Sequence, residues 1–270
     1  MQVATTNPQK VYVGTTEGVY RSEDGGVTWD RSSSGIQYLD IGPLTVHPED
    51  PDIVLAGSNI WENWTVHYDP FPSSTSGEGV YKTLDGGSSW SKASLGFIDV
   101  DVVALAVDPN DPDVIYVGVE CSRGVFRSVD GGVSWLFISG GPREGSRDIA
   151  HYTMRLATDS NSQVYLTGRF GVMRSQDQGQ SWIAMLMRRH FHGIGISPHD
   201  PRLVFVGTSP KQDPTETDDF PGARIFRSAD EGLSWQEVGP GFPSGAATSI
   251  HEFAFDATDS VNLIGRQGRT

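Results

Sequence analysis

The chain has 270 residues, enough for one large β domain or two smaller ones, and it carries 32 glycines, one cysteine and a net charge of −14. That charge argues against a nucleic-acid partner, which requires a basic surface to displace phosphate counterions. The lone Cys121 closes no internal disulfide, and no stretch approaches the ~18 apolar residues of a membrane span, so a disulfide scaffold and a membrane partner are set aside.

Taken in chain order, "MQVATTNPQK" has no apolar signal-peptide core, which leads to the expectation of a cytoplasmic protein. The β-rich run "VYVG" follows, then "RSEDGGVTW" (21–29). "LTVHPEDPDIVLAG" reads as two strands around an Asp-Pro turn, and after a 22-residue insertion (58–79) it leads to "KTLDGGSSW" (82–90). The pattern returns as "LAVDPNDPDVIYVG" with "RSVDGGVSW" (127–135), as "YLTG" with "RSQDQGQSW" (174–182), and as "IGISPHDPRLVFVG" with "RSADEGLSW" (227–235). The chain then runs through "HEFAFDAT" and "VNLIG" without a sixth copy.

The five repeated aspartates, Asp24, Asp85, Asp130, Asp177 and Asp230, are 61, 45, 47 and 53 residues apart. One unit is strand A, an Asp-Pro turn, strand B, a variable loop, strand C, the Asp/Gly turn and strand D. Four antiparallel strands at this period describe the blades of an all-β propeller, here a single domain over 1–270. The motif Ser-x-Asp-x-Gly-x-Thr-Trp resembles the Asp-box, or BNR repeat, of sialidases, xyloglucanases, sortilin-type receptors and bacterial propellers. The resemblance covers nearly the whole chain and implies the fold more strongly than an activity, because those families share the box without sharing a reaction.

A feature needed once per blade is structural. The aspartates are therefore expected to accept backbone N–H bonds across their own turns, with Gly26, Gly87 and Gly132 supplying positive φ. Trp29, Trp90, Trp135, Trp182 and Trp235 are expected to pack between neighbouring blades. "HEFAFDA" is expected to close a five-bladed ring as the inner strand of blade 1. The rival reading has six or more blades with the last incomplete, whose free edge invites a homodimer.

Function is expected on the face that carries the irregular loops. At the start of strand A the equivalent positions read Asp40, Asp101, His151, His190 and Ser249, and two residues on Gly42, Val103, Thr153, His192 and His251. Inner strands converge, so His151, His190, His192 and His251 with Asp40 and Asp101 form a candidate set for a divalent transition metal such as zinc, manganese or iron. Without metal, one of those histidines serves as general base, with Glu120, Glu62 or Asp101 as acid or orienting partner. Trp61, Trp64, His67 and Tyr68 of the long insertion, with Arg155, Arg169 and Arg188, are candidate contacts for a small-molecule or glycan ligand. The structural alternative is that polar residues at strand starts only bind loop backbones.

Two readings stay open. One is a hydrolase, metal-assisted, acting on a small substrate at the channel mouth. The other is a non-catalytic propeller that binds a glycan or a protein. A sialidase-like activity is disfavoured because no Arg-Ile-Pro segment lies early in the chain, and a xyloglucanase because that family resembles two propellers in tandem.

Overall fold

The computed structural model describes residues 1–59, 77–94, 100–119, 124–138, 153–168, 171–187, 191–208, 223–238, 248–255 and 263–269. The repeat becomes five four-stranded antiparallel sheets, each ordered as in the chain, the blades of a β-propeller. The first holds β1 (Gln2–Val3), β2 (Val11–Thr15), β3 (Gly18–Ser22) and β4 (Asp30–Arg31). The second holds β5 (Ile41–Val46), β6 (Val54–Ser58), β7 (Val80–Thr83) and β8 (Ser91–Lys92). The third is β9 (Val102–Val107), β10 (Ile115–Val119), β11 (Gly124–Ser128) and β12 (Leu136–Ile138). The fourth is β13 (Thr153–Thr158), β14 (Val164–Gly168), β15 (Gly171–Ser175) and β16 (Ile183–Leu186). The fifth is β17 (Phe191–Ile196), β18 (Val204–Thr208), β19 (Ile225–Ser228) and β20 (Gln236–Val238).

Two compact units divide the chain, Met1–Ile138 with the first three sheets and Ser139–Thr270 with the rest. The ends differ from expectation in one respect. The inner place of the first sheet is taken by β1, while the "HEFAF" part of that segment lies in β21 (Thr248–Phe255), which pairs with β22 (Leu263–Arg269) as a two-stranded sheet. A two-residue strand carries no periodicity to read, and the stretch "LIGRQGR" at the end of the chain forms β22.

Strands β6, β10, β14 and β18 are buried along their whole length, which is why their sequences run continuously apolar instead of alternating. The cores lie between sheets. Tyr12, Ile36, Leu44, Val54, Tyr81 and Trp90 fill the space between the first and second, and Leu55, Val80, Val102, Ile115, Val117 and Trp135 that between the second and third. In the second unit, Val172, Phe191, Val206 and Phe226 do the same for the fourth and fifth.

The aspartate turns are scaffolding of one design. Asp24 Oδ1 accepts the Val27 and Thr28 N–H groups at 3.0 and 2.8 Å, and Thr28 Oγ1 donates to Oδ2 at 2.6 Å. Buried Ser22 donates to Asp24 Oδ1 at 2.7 Å and accepts from Gly26 N at 2.8 Å. Asp85, Asp130, Asp177 and Asp230 repeat the arrangement. The basic residue before the turn reaches the next sheet. Arg21 donates to the Gly86 carbonyl, Lys82 to that of Gly131 and Arg174 to that of Glu231, in each case the residue after the next turn's aspartate.

The tryptophans divide. Trp90 Nε1 donates to Ser32 O and Trp135 Nε1 to Ala93 O, each the residue just past the last strand of the preceding sheet, at 2.8 Å. Trp29 and Trp182 bond instead to the Gly26 and Gly179 carbonyls of their own turns, and Trp29 remains 38% exposed, so the expected packing between blades does not extend to it.

The position after each aspartate has positive φ, and Gly25, Gly86 and Gly131 fill it in the first three turns. Gln178 and Glu231 occupy it in the last two, at φ 56° and 59°. Glu231 has a compensation, because its Oε2 accepts from the buried Arg174 Nη1 at 3.1 Å. Glycine at such a position would by its backbone alone raise stability by about 0.5–1 kcal/mol, the left-handed penalty less the entropy glycine adds to the unfolded chain. Glu231→Gly should bring no gain, since it strips the carboxylate from Arg174. Equilibrium denaturation of the wild type and this variant checks it, and the full backbone gain would remove the compensating role of the ion pair.

Candidate functional site

Beyond the two-residue β1, the inner strands β5, β9, β13, β17 and β21 each carry one extra residue in the early part of their pairing. The register shifts between Ile41 and Leu44 in β5, between Thr153 and Arg155 in β13, between Phe191 and Gly193 in β17 and between Ile250 and Glu252 in β21. In β9 the same shift falls opposite Gly118 and Val119. The surplus residues are thus Val103, Met154, His192 and His251, with Gly42 and Pro43 sharing the place in β5. The register puts Met154, and not Thr153, level with His192, a slip of one residue that the strand-B glycine could not reveal. A bulge re-aims the side chain it adds and leaves its backbone outside the regular ladder, which is why bulges gather beside functional sites.

Two of these surplus residues meet. The rings of His192 and His251 lie with centroids 5.5 Å apart and planes at 87°. His192 is buried and His251 partly exposed. Glycines permit the approach. A Cβ on Gly193 would lie 2.6 Å from the Ile250 carbonyl oxygen, and one on Gly207 would lie 2.5 Å from Ile250 Cβ, so bare backbone lets the fifth sheet close against β21. Arg155, the first paired residue beyond the bulge of β13, is partly buried, and loss of hydration lowers its pKa while the Glu252 carboxylate opposes that shift. Glu252 was not singled out in the sequence, where its only signal is its place beside His251.

In the first unit Asp40 and Asp101 occupy matching places, immediately before β5 and β9, and those two strands pack against each other. The Asp40 carbonyl accepts from Asn59 N at 3.0 Å. Asp101 Oδ1 accepts from Gly77 N at 2.8 Å, and Glu78 bridges Val100, so the third sheet holds the point where the long insertion returns. Glu78 Oε2 accepts from Tyr81 at 3.0 Å and from Lys92 at 3.3 Å.

The other candidates, His151, His190, Glu120, Glu62, Trp61, Trp64, His67, Tyr68, Arg169 and Arg188, lie outside the described residues. Among the described residues no three His, Cys, Asp or Glu side chains stand together as a metal centre would need. Of the expected ligand set, His192 and His251 are the pair brought together.

Comparison with known proteins gives a consistent direction. No family profile matches the chain. A xyloglucanase from Hypocrea jecorina is 26% identical over 270 residues, which is 96% of this chain and 27% of that enzyme. The likeness is to xyloglucanases. Among solved structures, the GH74 enzyme of Niastella koreensis superposes with a TM-score of 0.68 at 18% identity, over 97% of this chain and 43% of that one. YCF48 bound to D1 peptide gives a TM-score of 0.53 at 15% identity, over 100% of this chain and 93% of that one. At such identities the superpositions speak to the fold. The chain spans about a quarter of the length of the curated relatives it matches. Counting propellers, which set the xyloglucanases aside, compares whole enzymes and does not bear on a likeness over one stretch.

Proposed function

We propose that this chain is a glycan-processing propeller of the glycoside hydrolase kind, an Asp-box scaffold that cleaves or helps to cleave a polysaccharide across the starts of its inner strands. The observation that carries the reading is the span of the match. Likeness to xyloglucanases runs over 84–96% of the chain and is not confined to the repeated turns. Glycosidic cleavage ordinarily uses two carboxyl groups, one to protonate the leaving oxygen and one to activate water or attack carbon. Asp40 and Asp101, at matching places on adjacent inner strands, are the pair we assign to that work.

The test is release of reducing ends from xyloglucan and related β-glucans by the whole chain, with Asp40→Asn and Asp101→Asn beside it. The expected result is cleavage by the wild type and a loss of roughly 10²- to 10⁴-fold in each variant at unchanged melting temperature. Asparagine keeps the oxygen that Gly77 N needs, so the fold should survive the second substitution. One observation favours a second reading, a binding propeller without chemistry: the chain covers 93% of YCF48, whose structure holds a peptide. Retardation in a glycan-containing gel without cleavage would support that reading for a glycan, and neither effect would overturn the glycan assignment.

A further inference from the structure

We propose that the fifth sheet and the edge of β22 form a docking surface for one more aspartate-turn hairpin, a strand, its Asp/Gly turn and a second strand, presented by a partner polypeptide. β21 packs against β17 and β18 as β17 packs against β13 and β14, so β21 and β22 stand as the first two strands of a further sheet. Among the described residues β22 pairs with β21 alone, and the third and fourth places of that sheet are open. A strand edge of this kind is a template for another strand.

Two residues of the fifth sheet show what the open places would cover. The apolar residue two before the basic one is fully buried in four sheets, as Val19, Val80, Val125 and Val172, yet its counterpart Ile225 is partly exposed. Arg21, Lys82 and Arg174 donate to a carbonyl of the next turn, whereas no carbonyl among the described residues accepts from Arg227. Asp200 feels the charge of Arg227 but is itself held by Arg202, at 2.9 Å. Nearer the inner strands the contact is already made, because Phe205 packs on Phe253 and Phe255 with ring centroids 6.1 and 5.9 Å apart. The surface thus continues the interface that joins successive sheets, and that interface defines its occupant. Between the first two sheets, the hairpin's turn offers Gly86 O to Arg21 and its Trp90 indole donates to Ser32 O. A second copy of the chain has no such hairpin to give, since each of its five aspartate turns already joins the outer strands of a four-stranded sheet.

The surface is independent of the glycan reading. The probe is a labelled peptide with the sequence of residues 79–92, the second sheet's own hairpin, titrated against the whole chain by fluorescence anisotropy. Its Lys82 and Lys92 outnumber its Asp85, which suits a chain of net charge −14. We expect one peptide per chain, with Arg227→Gln weakening binding roughly tenfold or more through loss of a charge-assisted hydrogen bond. Asp85→Ala in the peptide should abolish binding, because the turn loses its acceptor. Arg31→Gln, in the outer strand of the first sheet, should leave binding unchanged. A free hairpin bears its own ordering cost, so the same segment is also fused behind Thr270 through a short Gly/Ser loop. The fusion should melt higher than the chain alone, and Arg227→Gln should reduce that gain. Neither binding nor a higher melting temperature would overturn the surface, as would effects indifferent to Arg227→Gln or to Asp85→Ala. A chain that sediments as a dimer and takes the peptide only when diluted to monomer would give the edge to a second copy and overturn the assignment. None of these outcomes touches the reducing-end assay.

Discussion

Replacing Gly35 with alanine is expected to lower stability by about 3 kcal/mol or more, a cost in the upper range for a single methyl group. Gly35 lies in the connection from the first sheet to the second, at φ 93°. A Cβ there would fall 2.1 Å from the Trp90 carbonyl oxygen and 3.1 Å from its carbon, both backbone atoms that no rotamer change can move. Trp90 is itself pinned, because its N–H donates to Ser34 O and its indole N–H to Ser32 O, both at 2.8 Å. Relief would therefore require the second sheet to back away from the first, opening the core around Tyr12, Tyr81 and Trp90. Gly26→Ala is the control. It has a similar φ of 96°, but its Cβ would meet only Trp29 Cζ2, at 3.6 Å. That substitution should cost only about 0.5–1 kcal/mol, the left-handed backbone penalty less the entropy that glycine adds to the unfolded chain. Urea unfolding of both variants measures the difference, and equal costs would mean that contact at Gly35 does not set how the two sheets pack.

Such contacts show where sequence reasoning reached its limit. The sheets were legible because each repeat states the same thing at several levels: an apolar run ending in glycine, an Asp-Pro turn, an aspartate turn and a tryptophan. The strand-B runs "VLAG", "IYVG", "YLTG" and "VFVG" fall in β6, β10, β14 and β18 as expected. A bulge is different. It adds one residue without changing the local composition, and the strand-B glycine is no fixed marker either: Gly168 stands one place later in β14 than Gly207 does in β18, which turned the alignment from Met154 to Thr153 in the fourth sheet. The first strand of the fold, at Gln2–Val3, is too short to announce itself. The candidate site was legible only as residue types at strand starts. That Asp101 serves the return of a distant loop depends on a contact 24 residues away in the chain, which no local pattern encodes.

The same aspartate turns that specify the fold should also set its acid limit. Asp24, Asp85, Asp130 and Asp230 are held at a pKa of about 2, against 3.8 for the free side chain, chiefly by the hydroxyl that each carboxylate accepts from the residue four positions on. Asp177 is lowered as well. A depressed carboxylate pKa contributes stability that is complete above the unfolded value and is lost as pH falls through the folded one. The melting temperature should therefore hold down to about pH 4 and then fall steeply towards pH 2, as several turns lose their acceptors together. Asp159 works in the opposite direction, since burial raises its pKa and its protonation in the folded state offsets part of the loss. Because the shifts come from hydrogen bonds and not from paired charges, added salt should leave the steep region in place. Asp130→Asn should lower stability at neutral pH, because its amide nitrogen cannot accept from Ser134, yet it should remove somewhat less than about one quarter of the loss below pH 4, since Asp177 shares that loss with the four equally shifted groups. Melting curves at half-unit steps from pH 5 to pH 2, with and without added salt, decide the matter. A curve that salt flattens would assign the acid limit to net charge, and one that Asp130→Asn leaves unaltered would detach it from the turns.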